Sequence, residues 1–330
     1  MKILLICFVS PKIGVGHLSR LLALAQVFRK NNKLVPEFLI FGNLFKEKEL
    51  SNFNVHHFSL EDDFKITIEN ILKVGNFNSI VFDLYPQNNI DNLSELFGQL
   101  KRHSLHLIGI DSLVDYCNIL DIVWVPSFYF DCDKYQDCTG LLRSGWGSFL
   151  IQKRFQHKKW ISGSKVLILT GGSDVLSLGE TIPIQLDGLL DKNVELHWVK
   201  GPFSDAPILP KDCRLNWVIH DAPEYLDELI VQSDYVMTIF GVSFFEVLQY
   251  GVPTVVFSPY DNKDNNELYA LSKECVAMVV NSPDYAVNDL IDLMNNDELA
   301  EEYSINALKK MSINGAQDLS KEIYSLIGVK

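Results

Sequence analysis

The chain has 330 residues, 47% of them hydrophobic, a length and composition that point to two globular domains with full cores. Against 42 acidic residues stand 29 basic ones, and the net charge of −13 argues against non-specific binding to nucleic acid or anionic lipid, short of a local basic patch. Six cysteines, Cys7, Cys117, Cys132, Cys138, Cys213 and Cys275, are scattered without a C-x-x-C pair, which speaks for reduced thiols rather than disulfides or a zinc site.

The first element is the apolar run KILLICFV, which has a strand's length and β-branched content. No small-residue cleavage site follows it and a glycine loop interrupts it, so it does not read as a signal sequence. No stretch reaches the ~18 apolar residues that span a bilayer. A cytoplasmic protein is expected, with peripheral attachment at the inner membrane left open. Next comes SPKIGVGHLSRLLALAQVF, where Leu18, Leu21, Leu22, Leu24, Ala25 and Phe28 recur at helical spacing. The reading is strand, glycine loop, helix. Gly14 and Gly16 let the backbone turn tightly and deliver His17 to the first helical turn, beside the positive end of a helix dipole, where an imidazole can serve as a general base. A buried or capping histidine is the alternative. A dinucleotide fingerprint fits poorly, because Gly14-x-Gly16-x-x-Ser19 lacks the third glycine and Glu37 lies inside the second strand.

The runs VPEFLIF, NVHHFSL, SIVFDLY and LHLIGID follow, with helical patterns between most of them, which implies βαβ crossovers and a parallel sheet. Two of these strands end in acids, Asp83-Leu84-Tyr85 and Asp111. Those carboxylates either orient His17 or a substrate hydroxyl, or cap loops. From about residue 126 the pattern loosens, and Asp131-Cys132-Asp133, a D-x-D, reads as part of a solvated acidic loop. The expected division is a first domain over 1–140, a linker over 141–163 and a second domain over 164–330.

The alternation restarts with KVLILTGGSD, VELHWVKGP, LNWVIHDAP, DYVMTIFGVSFFEVLQYGVPTVVF and VAMVV, and closing helices run to about residue 327. The fold class is α/β, two parallel-sheet Rossmann-like domains expected to face each other across a cleft at the carboxyl ends of their strands. Gly171, Gly172 and Ser173 end a strand and expose N–H groups and a hydroxyl suited to a phosphate. A second strand ends at Gly241. Beyond it, Ser243 and Glu246 either form a capping box, or a diphosphate lies at the helix start while the Glu246 carboxylate accepts both hydroxyls of a ribose. Asp261, Asp264, Asn265 and Asn266 follow the next strand, where they could contact sugar hydroxyls.

Taken together these motifs resemble, over nearly the whole chain, the GT-B nucleotide-sugar enzymes, in particular the branch holding the UDP-sugar hydrolases of pseudaminic acid biosynthesis and the MurG-like glycosyltransferases. IGVGHLSRLLALA is similar to the branch's glycine-glycine-histidine loop, which puts Gly14 and Gly16 at the nucleotide sugar and His17 on the catalytic base. FDLY resembles a D-x-Y strand end, which adds Asp83 and Tyr85 to the catalytic set. LTGGSD resembles the diphosphate loop, with Gly172 and Ser173, and VKGP a strand-end signature. FGVSFFEVLQYGVP resembles the nucleotide segment, with Gly241, Val242, Ser243 and, on the ribose-binding glutamate, Glu246. Asp264 and Asn265 fall in the sugar loop.

Hydrolase-specific positions differ: the first-strand R-x-D of those enzymes is Ile6 and Phe8 here, the D-D strand end is Asp111-Ser112, and G-G-S-T becomes Phe240-Gly241-Val242-Ser243. The linker signature L-R-x-E-F appears as LIQKRF, and the D-N-Q loop as DNKDNN. Replacement of the charged pair by Ile6 and Phe8 is expected to make the floor of the cleft apolar. The resemblance implies a GT-B inverting glycosyltransferase with a UDP-sugar donor and a hydroxyl acceptor on a sugar, a lipid-linked or another molecule, in surface-glycan or modified-sugar biosynthesis. No cofactor is called for, and helix N-termini and glycine loops take the leaving charge in place of a metal. The alternative it leaves is a UDP-sugar hydrolase in which water replaces the acceptor.

Overall fold

The protein is described by a computed structural model covering residues 1–43, 48–84, 90, 92–221, 223, 225–260 and 263–329. It divides into two compact units, one formed by Met1–Gln152 together with the stretch from Ile313, the other by Lys153–Ser312.

In the first unit, β1 (Lys2–Val9), α1 (Gly16–Asn31), β2 (Val35–Gly42), β3 (Asn54–Phe58), α2 (Phe64–Val74), β4 (Ser79–Asp83), α3 (Leu93–Arg102), β5 (His106–Ile110), β6 (Ile122–Trp124) and β7 (Leu141–Arg143) follow in order. The strands make one seven-stranded sheet in the order β3-β2-β1-β4-β5-β6-β7, with every pairing parallel. A parallel sheet is covered on both faces, so its central strands carry apolar residues in continuous runs rather than in alternation. Ile3, Leu4, Leu5 and Ile6 are accordingly all fully buried. Asn32 ends α1 in the left-handed region at φ 53° while its N–H bonds back to the Phe28 carbonyl.

The second unit comprises β8 (Lys165–Leu169), α4 (Leu178–Leu189), β9 (Glu195–Lys200), β10 (Asn216–Asp221), α5 (Leu226–Gln232), β11 (Tyr235–Ile239), α6 (Val242–Leu248), β12 (Thr254–Phe257), α7 (Asn265–Lys273), β13 (Met278–Val280), α8 (Pro283–Met294) and α9 (Asp297–Lys310). Its six strands run parallel in the order β10-β9-β8-β11-β12-β13. Pro183 lies inside α4 and cannot donate to the carbonyl of Gly179 four residues earlier. The N–H of Ile208 takes that carbonyl instead, at 2.8 Å, and ties the loop after β9 to the helix.

In each sheet the chain winds outward from β1 or β8 in one direction and then from β4 or β11 in the other. The strand order therefore reverses between β1 and β4 and between β8 and β11. Such a switch point leaves a crevice at the carboxyl ends of the two central strands, where ligands of open α/β sheets bind.

Two features differ from the sequence expectation. The segment after residue 126, which shows no period, contributes β7 to the sheet, so the expected linker from 141 starts inside a strand. And α10 (Gly315–Leu326), expected in the second domain, belongs to the first unit, packed against α1. Phe28 meets Tyr324 edge to face at 5.6 Å, and Gly315 lies so close to the backbone of residues 147–149 that a Cβ would come within 2.6 Å of the Phe149 carbonyl. Because Leu319 is fully buried on α10, Leu319→Ala is expected to destabilise the first unit by about 2–5 kcal/mol, read from urea unfolding of the full chain.

Candidate functional site

The loop between β1 and α1 is closed on itself: the N–H of Gly14 donates to the Ser10 carbonyl at 2.7 Å, the N–H of Ile13 to the Ser10 hydroxyl at 3.2 Å, and Gly14 occupies φ 81°, open to glycine without strain. Gly16 is the first residue of α1, so His17 stands in its first turn. Beside it, Asp83 ends β4 directly across from Cys7 of β1, at the switch point.

The Asp83 carboxylate is fully buried, and three donors converge on it. His17 Nδ1 lies 2.6 Å from Oδ1; Arg20 Nη2 lies 2.7 Å from the same oxygen and Arg20 Nε 2.9 Å from Oδ2. Arg20 Nη1 reaches Asp111 Oδ2 at 2.8 Å. Asp111 holds φ 64°, a conformation that aspartate tolerates better than most residues, and its N–H donates to the Trp124 carbonyl of β6 at 2.9 Å. Burial pushes the Asp83 pKa upward, but the Arg20 charge and the bonds from His17 and Arg20 outweigh it and hold the carboxyl below its usual range. Burial likewise works against the Arg20 charge, and the two aspartates overcome it, so the guanidinium stays ionised. Burial, reinforced by Asp83, keeps Cys7 a thiol.

His17 and Asp83 thus come together as the sequence suggested. Tyr85 lies outside the described residues, as does Asp261. Arg20 is the residue that the motif reading passed over. One turn beyond His17 and therefore on the same helix face, it is a charge set among buried leucines in LSRLLALA, and that incongruity was the available signal. Ile6 and Phe8, expected to line a cleft floor, are buried in the core, with Phe8 stacked on Phe41 and Phe64 at 5.2 and 5.5 Å. Asp131 accepts from the Asp133 N–H as the cap of a short 3₁₀ turn.

In the second unit three strand ends meet through glycines. Gly171 has φ 84° and is packed so closely on Ile239, at the end of β11, that a Cβ would lie 2.7 Å from its side chain; a Cβ on Gly201, after β9, would lie 2.3 Å from the Gly171 carbonyl and 2.6 Å from that of Gly172. The N–H of Phe203 donates to the Gly172 carbonyl at 2.9 Å. The motifs LTGGSD and VKGP are therefore one backbone assembly, with Gly172 and Ser173 at the switch point. Asp174 of the first motif serves the fold: its carboxylate accepts from the N–H groups of Leu178 and Gly179 at 3.0 and 2.9 Å and caps α4.

Gly241, not Ser243, is the N-cap of α6, and no side chain caps it. This corrects the capping-box alternative, since Val242 and Ser243 are already helical. Glu246, one turn further on, makes no hydrogen bond among the described residues. Burial, and after it the charge of Asp227, raise its pKa to about 7, with Arg154 offsetting part of the rise. Asp227 is itself occupied, by Arg154 Nη1 at 3.2 Å and by the Tyr250 hydroxyl at 2.9 Å. Asp264 is buried before α7 and accepts from the Ser258 hydroxyl at 2.6 Å, and Asn265 opens that helix. Among the described residues no group of three or more His, Cys, Asp or Glu side chains is arranged to hold a metal ion, and no helix is long and apolar enough to cross a membrane.

Solved structures share this architecture across the full chain. MurG of Acinetobacter baumannii aligns over 98% of this chain and 100% of its own, at 14% identity and a TM-score of 0.62. The calicheamicin glycosyltransferase CalG4 aligns over 99% and 98% at 12% identity and a TM-score of 0.65. MnaA of S. aureus, solved with UDP, aligns over 100% and 97% at 10% identity and a TM-score of 0.66. The chain has the glycosyltransferase-like GT-B fold. No protein-family model matches it, and no curated protein matches it by sequence.

The environment of Glu246 has a measurable signature. A carboxyl raised from 4.5 to about 7 binds its proton more tightly in the folded chain than in the unfolded one. Its ionisation therefore costs stability progressively as pH climbs from the lower value to the higher, and no further beyond. Glu246→Gln is expected to raise the unfolding free energy at about pH 8 by on the order of 1–3 kcal/mol, and to leave it nearly unchanged at about pH 4, in urea titrations at the two pH values.

Proposed function

We propose that the protein is an inverting glycosyltransferase that uses a nucleotide sugar, with UDP as the nucleotide. The observation that carries this reading is the 2.6 Å hydrogen bond between His17 Nδ1 and the buried Asp83 at the switch point of the first unit. A carboxylate only accepts, so Nδ1 bears the proton, and in the neutral ring that acts as base Nε2 carries the lone pair. In the reaction an acceptor hydroxyl gives its proton to Nε2 while its oxygen bonds to the anomeric carbon. The bond from that carbon to the diphosphate oxygen breaks, and the nucleoside diphosphate departs with the electron pair. The oxygen enters opposite the leaving group, which inverts the anomeric centre.

The second unit takes the nucleotide. Gly172 and Ser173, joined by the backbone of Gly241, Val242 and Ser243, receive the diphosphate, and Glu246, which has no hydrogen-bond partner of its own among the described residues, accepts from the ribose hydroxyls. Gly14 and Gly16 allow the donor close to the loop that carries His17; Asp264 and Asn265 meet the sugar, and Tyr85 completes the catalytic set. Two proteins of the same fold were solved with such ligands: MnaA with UDP and Phytolacca americana UGT2 with UDP-2-fluoroglucose. A UDP-sugar hydrolase would use the same base on water, and acceptor dependence separates the two.

The test is incubation with a panel of UDP- and CMP-sugars, read by mass spectrometry with and without acceptor extracts. The correct donor alone is expected to release nucleoside diphosphate slowly, and the true acceptor to accelerate release at least about tenfold, equivalent to ~1.4 kcal/mol of barrier. Fast release of free inverted sugar without acceptor would replace the transferase by the hydrolase. His17→Ala is expected to lower turnover by about 10²- to 10⁴-fold with nucleotide affinity retained in calorimetry; undiminished turnover in the folded variant would remove His17 from the mechanism.

A further inference from the structure

We infer that Arg20 is a positioning residue that keeps His17 available as a base, by holding Asp83 in one orientation and neutralising its charge, with Asp111 as the counter-ion on the far side. The inference rests on the reading of His17 as the base and adds the residue that makes it one.

The geometry is a fork. Arg20 Nε and Nη2 engage the two oxygens of Asp83 at 2.9 and 2.7 Å, which fixes the plane of the carboxylate. His17 Nδ1 then meets Oδ1 at 2.6 Å, and Arg20 Nη2 lies 3.0 Å from that same Nδ1. A guanidinium has no lone pair to offer. Were Nδ1 unprotonated, two lone pairs would oppose each other across 2.6 Å; with the proton on Nδ1, both donors share Oδ1 and no acceptor is left opposed.

The charges lead to the same conclusion. Facing the imidazole are Asp83 from β4, Asp111 from the turn after β5, Arg20 from α1 itself and the Cys7 thiol from β1. With a neutral ring they sum to one negative charge, and arrival of the acceptor's proton brings the cluster to zero. Remove Arg20 and the buried Asp83 loses its only cationic partner among the described residues. Such a carboxylate draws a proton onto the nearest base, because an ion pair costs less there than a lone buried charge. His17 would then hold a proton before any acceptor arrived.

The experiment uses the full chain with ¹⁵N-labelled histidine. The ring nitrogen shifts of His17 separate the two neutral tautomers from the imidazolium, and the pH profile of nucleoside diphosphate release is measured alongside. The wild-type chain is expected to show Nδ1 protonated and Nε2 bare. In Arg20→Gln both nitrogens carry protons at neutral pH, and the acid limb of the profile moves upward by at least about one pH unit. Arg20→Lys, which keeps the charge and loses the fork, falls between the two, and Asp111→Asn moves the limb downward.

A wild-type ring protonated on Nε2, or a folded Arg20→Gln chain with unchanged ring shifts and pH profile, overturns the inference. If Arg20→Gln does not fold, Arg20→Lys and Asp111→Asn decide it by the same two readouts. Should the transferase reading fail, either no donor turns over or free sugar is released without an acceptor, yet the ring shifts still report on Arg20, so the two failures are told apart.

Discussion

The first unit is arranged around a carboxylate that has no contact with water. Burying an ion without partners costs several kcal/mol even after the protein relaxes, so the placement of Asp83 at the end of β4 requires donors from elsewhere in the chain. Helix α1 supplies both, His17 and Arg20, from one face. That is possible only if the helix begins within a few residues of the end of β1, and the loop closed by Ser10 and Gly14 makes the turn short enough. Asp111 then answers the charge left over on Arg20, and β6 holds Asp111 in place through the Trp124 carbonyl. Strand order, loop closure and helix start all follow from satisfying one acid.

The second unit treats an acid in the opposite way. Glu246 lies in α6, the helix that follows the second central strand of its sheet, and Arg154, whose charge offsets part of the rise in its pKa, is bonded to Asp227. The result is one acid held ionised at the end of a central strand and another, in the helix after a central strand, with its pKa raised to about 7. Pairs of titratable groups pushed apart in this way are how one fold assigns different roles to the same chemical group. Asp83 accepts on both oxygens from His17 and Arg20; Glu246 makes no hydrogen bond among the described residues.

The sequence made the frame legible because its signals were local. A strand, a glycine turn and an amphipathic helix in direct succession allow one reading, and the acids at strand ends pointed to the crevice before any pairing was known. Features that depend on distant partners were not legible. Strands of three residues, β6 and β7, show no period and exist only because β5 offers an edge. Arg20 carried no assignment until Asp83 and Asp111 were placed around it. Ser243 and Glu246 have capping-box spacing, but the helix starts two residues too early for Ser243 to cap it. Ile6 and Phe8 occupy positions where the hydrolases that the motifs resemble carry charges, and a linear comparison could not reveal that here both side chains turn into the core. The sequence set LTGGSD down as a phosphate loop and VKGP as a separate strand-end signature, and their common packing, backbone against backbone, needed the β8–β9 pairing.

The packing of α10 on α1 also sets an order of events during synthesis. The second unit is contiguous in sequence, so all of its residues have been synthesised before α10 is made, and since domains generally fold as units it has what it needs first. Helix α1, made before the second unit, waits for a helix made after it. Until then the face of α1 that receives Tyr324 stays bare, and the helix carrying His17 and Arg20 rests only on its sheet. The half of the protein that begins first is the half that finishes last.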